Sequence, residues 1–140
     1  MLEVLSKKSL EVIALGHSAD TAREANEQGN VTWKFADICD KDALRDTLEG
    51  CDTVIHLVGL LTECPKKGIT HQRVVVEGSQ CLADACADSG VRKIIYVSAA
   101  GTHSQSRSVY HQSKWKAESI VKSSGLAWTI FRPSLLFFSR

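Results

Sequence analysis

Short apolar runs alternate along the chain with longer segments of helical composition. The apolar runs are five to seven residues long and cover residues 11–15, 31–35, 52–58, 92–98 and 126–131. The helical segments between them cover residues 20–27, 41–48, 70–89 and 108–124. Strands that are apolar throughout and alternate with helices are typical of a parallel sheet covered on both faces. The pattern therefore predicts an α/β fold of three layers, in which the strands form a doubly wound parallel sheet.

Residues at the segment boundaries support these limits. Asp40 can cap the helix at 41–48, and Gly50 can close it. Gly90 and Gly125 stand directly after the last two helical segments. Each predicted helix after residue 40 is therefore followed by a residue that commonly ends one.

The composition is that of one ordinary globular domain. The chain has 140 residues, of which 44% are apolar and 24% are charged, and this length can bury a sizeable core. Lys and Arg number 17 against 16 Asp and Glu, so the net charge is +1. That charge is too small to recruit nucleic acid or an anionic membrane surface. We therefore expect a single domain over residues 1–140 that binds neither.

No segment has the features of a membrane span or of a secretory signal. The longest apolar stretches, at 54–61 and 126–138, are interrupted by His56 and Arg132, so no transmembrane helix is predicted. The first eight residues lack an apolar core, so no secretory signal is predicted. A cytoplasmic location is the default expectation, and a mitochondrial or chloroplast location would require a targeting peptide ahead of residue 1.

The cysteines predict free thiols. There are five of them, an odd number, and no two are spaced C-x-x-C. In a chain without an export signal, this pattern favours a reducing compartment over disulfides or a metal site. His71, His103 and His111 also lack clustered Cys or carboxylate neighbours, so no metal site is predicted.

The most informative chemistry lies in the last helical segment. Tyr110 and Lys114 are four residues apart, which places their side chains on one face of a helix about one turn apart. A phenol ordinarily titrates near pH 10, and a neighbouring ammonium favours its ionised form. Such a pair can act as a general acid and base. The remaining donors of the lysine can hold the hydroxyls of a ribose.

The position of this pair also indicates a ligand site. It opens the helix that follows the apolar strand at 92–98, which ends in Ser98. In open α/β sheets, ligands bind at the carboxyl ends of the strands. We therefore expect Tyr110, Lys114 and Ser98 to lie together at that edge of the sheet.

Several motifs occur in the order found in one known superfamily. They are D-T-V-I-H-L-V-G at 52–59, V-E-G at 76–78, V-S-A-A-G at 97–101, Y-H-Q-S-K at 110–114 and R-P-S at 132–134. Together they resemble the extended and atypical short-chain dehydrogenase/reductases, Rossmann proteins that bind NAD(P) and include epimerases and dehydratases. The strongest similarity is to the branch around the NAD(P)H-binding accessory subunit of respiratory complex I.

The resemblance implies roles for particular residues. Tyr110 would be the acid/base, Lys114 the ribose-binding lysine, and Ser98 the residue that orients the substrate. Asp37 would bind the adenine amino group. The backbone of the segment that begins Leu57, Val58, Gly59 would run under the adenosine ribose. Pro133 and Ser134 would lie beside the nicotinamide amide.

Two departures from the family pattern lead to further expectations. None of the nine glycines is spaced G-x-x-G-x-x-G, the loop that binds the pyrophosphate, and residues 1–8 resemble the tail of the helix that follows that loop. We therefore expect the first strand to be missing, which would leave a gap between the next strand and the one at 52–58. No acid stands at 16–18 to bind the ribose 2′-hydroxyl. This favours NADP(H) slightly, with His17 or Arg23 near the 2′-phosphate.

Three functional hypotheses remain open. The first is an NAD(P)-dependent oxidoreductase, epimerase or dehydratase that acts on an unidentified small molecule. The second is a non-catalytic NADP(H)-binding or structural subunit with a protein assembly partner. The third is a non-functional fragment of such a protein, because the substrate-binding region that follows R-P-S in the family is also missing. Without the pyrophosphate loop, we expect the chain as written to bind NAD(P)H weakly or not at all.

Overall fold

A computed structural model describes residues 2–17 and 30–134 of the chain. The strands in these ranges are β1 (Val12–Gly16), β2 (Val31–Phe35), β3 (Thr53–His56), β4 (Lys93–Val97) and β5 (Ala127–Phe131). The α-helices are α1 (Leu2–Ser6), α2 (Lys41–Leu48), α3 (Gly78–Asp88) and α4 (Val109–Ser123). The helix predicted at 20–27, with Arg23, lies outside the described residues.

All strand pairs are parallel, as predicted. β1 pairs with β2, and β4 pairs with β3 on one side and β5 on the other. The two groups form separate sheets, so within residues 2–17 and 30–134 there is no pairing between β1 and β3. This separation falls at the gap that the sequence predicts. The α/β class with parallel strands is confirmed.

The core lies between β4 and the helices α2, α3 and α4. Ile94 and Tyr96, which alternate along β4, are fully buried. The helices contribute the remaining buried apolar residues, among them Leu44, Leu82, Cys86, Ala117 and Val121. None of the helices in the described part of the chain is long and apolar enough to cross a membrane.

The residues expected to mark the two ends of α2 are found there. The side chain of Asp40 accepts a hydrogen bond from the amide of Ala43 at 3.0 Å, which satisfies one donor of the first turn. Gly50, two residues after the helix, has φ of +78°, a conformation that other residues rarely adopt. The cap and the glycine therefore fix the two ends of this helix.

The β1–β2 sheet is joined to the rest of the molecule through β2 and the segment that follows it. Lys34, in β2, donates to the carbonyl oxygens of Asp46 and Thr47 near the end of α2, at 3.3 and 3.5 Å. Ile38, after β2, packs so closely on Gly78 that a β-carbon there would lie 2.7 Å from Ile38 Cγ2. β2 is thus anchored on α2, and the segment that follows it is anchored on α3.

The helix predicted at 70–89 consists of two parts. Its first part, His71–Glu77, is π-helical, and α3 continues it. Thr70 accepts from the amide of Arg73 at 3.1 Å, and Glu63 accepts from the amide of His71 at 2.6 Å. Helical composition predicts the extent of this element. It does not predict the π-helical first part, where the amide of His71 donates to Glu63, a residue outside the segment.

Candidate functional site

Lys114 is buried at the carboxyl ends of two neighbouring strands. Its side chain is 2% exposed. The ammonium donates to the carbonyl oxygen of Val97, the last residue of β4, at 2.8 Å, and to that of Val58, just beyond β3, at 3.2 Å. This is the edge at which parallel α/β sheets bind ligands.

Burial also changes the acidity of Lys114. Loss of water around the ammonium lowers its pKa to about 8, while the Glu118 carboxylate acts in the opposite direction. The ammonium lies over the ring of Tyr96, 4.6 Å from the ring centroid. A lysine has three N–H donors, so the two backbone carbonyls leave one for another group.

The segment after β3 packs directly against this lysine. β3 ends at His56, so Leu57, Val58 and Gly59 lie beyond the paired region, whereas the sequence predicts a strand to residue 58. A β-carbon at Gly59 would lie 3.6 Å from Lys114 Nζ. The structure therefore brings Val58, Gly59 and Lys114 together, and Leu57 beside them is half exposed.

Tyr110 lies between two imidazole rings. Its ring contacts His71 edge-on, with centroids 6.1 Å apart, and His111 edge-on, with centroids 5.1 Å apart. The side chain of His71 is buried, and within the described part of the chain its Nδ1 has no hydrogen-bond partner. No sequence pattern indicates His71 as a site residue, because the π-helical segment brings it to Tyr110 from a distant part of the chain.

Ser98 is buried directly after β4, and its amide donates to the carbonyl oxygen of Phe131 at 2.7 Å. Its Oγ lies 3.5 Å from Thr102 Oγ1, and Thr102 Oγ1 lies 3.4 Å from His111 Nδ1. These weak contacts connect Ser98 to Tyr110 through Thr102 and His111. Sequence reasoning did not identify Thr102.

Glu118 forms an ion pair in which the carboxylate is buried and the Arg132 guanidinium is exposed. Arg132 donates to both carboxylate oxygens of Glu118, at 2.8 and 2.6 Å. Burial alone would raise the pKa of Glu118, but the hydrogen bonds from Arg132 and Ser98 outweigh it, and the pKa is lowered. The next residue, Pro133, accepts from the amide of Ala100 at 2.8 Å, so Pro133 and Ser134 lie beside the loop after β4.

Asp37 lies at the carboxyl end of the other sheet. Its carboxylate accepts from the amide of Cys39 at 2.9 Å and from the Arg73 guanidinium at 2.5 Å, and these two contacts lower its pKa. The exposed His17 follows β1 directly, and the amide of Ala36 donates to Gly16 at 3.1 Å. His17 and Asp37 are thus at the same edge.

These residues fit part of a dinucleotide. A carboxylate oxygen has spare acceptor capacity beyond one hydrogen bond, so Asp37 can still accept from an adenine amino group. Lys114 has a donor for ribose hydroxyls. The glycine loop that approaches a pyrophosphate is not in the sequence. Among residues 2–17 and 30–134, no cluster of three or more His, Cys, Asp or Glu could hold a metal ion.

Comparison with known proteins gives a consistent result. A family model described as NAD(P)H-binding matches residues 1–138. The chain is 28% identical over 139 residues to 3beta-hydroxysteroid-dehydrogenase/decarboxylase isoform 2 of Arabidopsis thaliana, covering 81% of this chain and 24% of that protein. It is 27% identical over 109 residues to the mitochondrial NADH-ubiquinone oxidoreductase 40 kDa subunit of Neurospora crassa, covering 78% and 28%. The chain thus spans about a quarter of the length of these relatives.

A solved structure supports the fold. The Citrobacter sp. triphenylmethane reductase complexed with NADP(H) superposes with a TM-score of 0.76 at 18% identity. The match covers 96% of this chain and 44% of that chain. The arrangement of strands and helices therefore agrees with the match to the NAD(P)H-binding family model.

Proposed function

Because the chain belongs to the NAD(P)H-binding family, we propose that it holds the nucleoside portions of NAD(P)H along the carboxyl ends of its strands. We further propose that Tyr110 and Lys114 form a proton-transfer pair beside the nicotinamide ribose. The observation that carries this proposal is the buried ammonium of Lys114, which is held by the carbonyl oxygens of Val58 and Val97. A cation in that position is prepared for a polar ligand at the strand ends.

Lys114 would bind the ribose through its remaining donor. Its two backbone hydrogen bonds fix the direction of the side chain, so little conformational entropy is lost on binding. The lowered pKa of about 8 also allows this group to exchange a proton near neutral pH. In this proposal, Lys114 both positions a ribose and exchanges a proton with Tyr110.

Tyr110 would act as the general acid and base. A bound nicotinamide supplies hydride transfer, and the phenol would give a proton to, or take one from, the substrate oxygen. His71 and His111 hold the ring from two sides. Ser98 would act through Thr102 and His111, since its own hydroxyl is buried.

The adenosine portion would lie across the other sheet. Asp37 would accept from the adenine amino group, and the Leu57–Gly59 backbone would pass under its ribose. His17 would be near the 2′-phosphate of NADP(H). Pro133 and Ser134, tied to the loop after β4, would lie beside the nicotinamide amide.

The affinity of the 140-residue chain for NADPH tests whether a glycine loop is needed to bind the pyrophosphate. Charge-assisted hydrogen bonds are worth about 1.5–3 kcal/mol each, so losing two or three weakens binding by roughly three orders of magnitude. We expect millimolar binding of NADPH by calorimetry, rising to micromolar when a family strand and G-x-x-G-x-x-G loop precede residue 1. No binding by either form would contradict the proposal, and micromolar binding by the chain alone would contradict the role given to the loop.

The role of Lys114 is tested by a matched pair of variants. Lys114→Met should weaken NADPH binding by the extended form about tenfold, the effect of one hydrogen bond to a charged group. Lys116→Met removes an exposed lysine of the same helix and should leave binding unchanged. Equal affinities for the two variants would remove Lys114 from the site.

A second candidate function is a non-catalytic subunit of a respiratory complex. The similarity to the Neurospora crassa subunit favours it. This candidate brings with it a mitochondrial location and a protein partner. Comigration of the tagged chain with the respiratory complex in native gels of purified mitochondria supports this role, and migration as a free protein contradicts it.

A further inference from the structure

The ammonium of Lys114 lies over an aromatic ring that also stacks on a histidine. Tyr96, which is fully buried on β4, presents its ring to Lys114 Nζ at 4.6 Å from the centroid. The ring of His56, from the end of β3, stacks on Tyr96 with centroids 4.9 Å apart and planes 27° apart. Tyr96 therefore contacts both His56 and Lys114, and we call these three side chains the column on Tyr96.

Lys114 is buried without a salt bridge in the described part of the chain. The nearest acid on its own helix is Glu118, whose two oxygens are already bound by Arg132. Two backbone carbonyls supply hydrogen bonds but carry no net charge. The ring face of Tyr96 carries the negative side of the aromatic quadrupole, and its attraction for a cation increases where water is excluded.

The histidine beneath the tyrosine is held neutral. Ser79 Oγ donates to the carbonyl oxygen of Val75 at 2.5 Å, so it accepts from Nε2–H of His56 at 2.9 Å. Burial, assisted by the charge of Lys114, lowers the pKa of His56 to about 3. No second cation therefore competes with Lys114 for the ring of Tyr96.

The hydroxyl of Tyr96 contributes little to this arrangement. It is buried and, among the described residues, has no hydrogen-bond partner. The useful part of the side chain is thus its aromatic face, which phenylalanine would also supply. This separates the proposed effect from an ordinary tyrosine hydrogen bond.

We propose that Tyr96 is a positioning residue whose ring face keeps Lys114 charged and directed at the carboxyl ends of β3 and β4. The consequence for cofactor binding rests on the proposed function, but the effect on Lys114 does not. The titratable groups near Lys114 are Tyr96 on β4, His56 on β3, and Glu118 and the proposed partner Tyr110 on its own helix. Of these, Tyr96 is the group whose ring face lies against the ammonium.

The test is an NMR titration of the Lys114 side chain in the 140-residue protein. We expect a midpoint near pH 8, well below the value of about 10.5 for an ordinary lysine. Tyr96→Leu should lower this midpoint by about one pH unit, a tenfold loss of proton affinity. Tyr96→Phe should leave it unchanged, and so should Ile94→Ala, which opens a cavity on the same strand without removing the ring.

If Tyr96→Leu does not fold, a second series of variants retains the ring. It consists of Tyr96→Phe with an increasing number of fluorine atoms on the ring. Each fluorine weakens the negative ring face while retaining its shape, so the Lys114 midpoint should fall with each one. An unchanged midpoint along this series, or an equal shift in Tyr96→Phe and Tyr96→Leu, would overturn the proposal. If the midpoint moves but Lys114→Met binds NADPH normally, the positioning role holds and the cofactor role fails.

Discussion

At the scale of single residues, the site consists of ionisable groups removed from water. Lys114 and His56 are both nearly inaccessible, and desolvation disfavours the charged form of each. Their hydrogen bonds compensate only in part, since His56 Nδ1 has no partner among the described residues. Such groups make the stability of the chain depend on pH in directions that can be worked out.

Lys114 should make the chain more stable as the pH rises above 8. Its pKa is about 8 in the folded chain, against about 10.5 for an ordinary lysine, so the unfolded chain binds more protons between these values. The unfolding free energy should therefore increase across this window, by on the order of 3 kcal/mol. Urea denaturation at several pH values measures it. The increase should persist in Lys116→Met and vanish in Lys114→Met, and its persistence in Lys114→Met would contradict the assignment.

His56 should act in the same direction at lower pH, where the chain loses stability as the pH falls. Its pKa is about 3 in the folded chain, against 6.5 ordinarily, so only the unfolded chain gains this proton as the pH falls below 6.5. The unfolding free energy should decrease progressively from pH 6.5 towards pH 3, by on the order of 4 kcal/mol from this group. His56→Phe should flatten the decrease, while the exposed His103→Gln should not. Equal acid sensitivity in both variants would show that another group is responsible.

At the scale of elements, hydrophobic pattern predicts most of what is observed. Strands and helices follow from apolar runs and caps such as Asp40, because those signals are local. The π-helical turn at His71–Glu77, the column on Tyr96 and the histidines around Tyr110 depend on contacts between distant segments. No periodicity encodes such contacts, so these parts of the site could not be predicted. The strand at 52–58 was also predicted too long, since residues 57–58 leave the sheet to meet Lys114.

The contact between α3 and the segment after β2 predicts a specific coupling. At Gly78 a β-carbon would lie 2.7 Å from Ile38 Cγ2 and 3.0 Å from Ile38 Cγ1. Gly78→Ala should therefore destabilise the chain by about 1–2 kcal/mol, as overpacking outweighs the gain in helix propensity. In an Ile38→Ala background the same substitution should no longer destabilise. Additive effects in the double variant, measured by urea denaturation, would contradict this close packing.

At the scale of the whole molecule, the two sheets differ in how they are supported. β4 is paired on both sides and lies against the core, whereas β1 and β2 pair only with each other in the described part of the chain. A two-stranded pair alone is marginally stable. The β1–β2 sheet therefore depends on its anchors to α2 and α3.

Hydrogen exchange should reveal this difference directly. Amides of β4 should exchange only by global unfolding, and those of β1 and β2 by local opening at lower free energy. The measurement is amide exchange of the 140-residue chain followed by NMR. Equal protection of β1 and β4 would mean that the two sheets unfold as one unit.

The central claim is that a dinucleotide lies along the carboxyl ends of the strands, with Lys114 bound to the nicotinamide ribose. Titration of the isotope-labelled chain with NADPH, followed through the backbone amides and the Lys114 side chain, tests it without requiring turnover or high affinity. The account predicts that the largest shifts occur at Asp37, Val58, Gly59, Ser98 and Lys114. Shifts confined to other surfaces, or no shifts at millimolar NADPH either in this chain or in the form that carries the family strand and glycine loop, would contradict it.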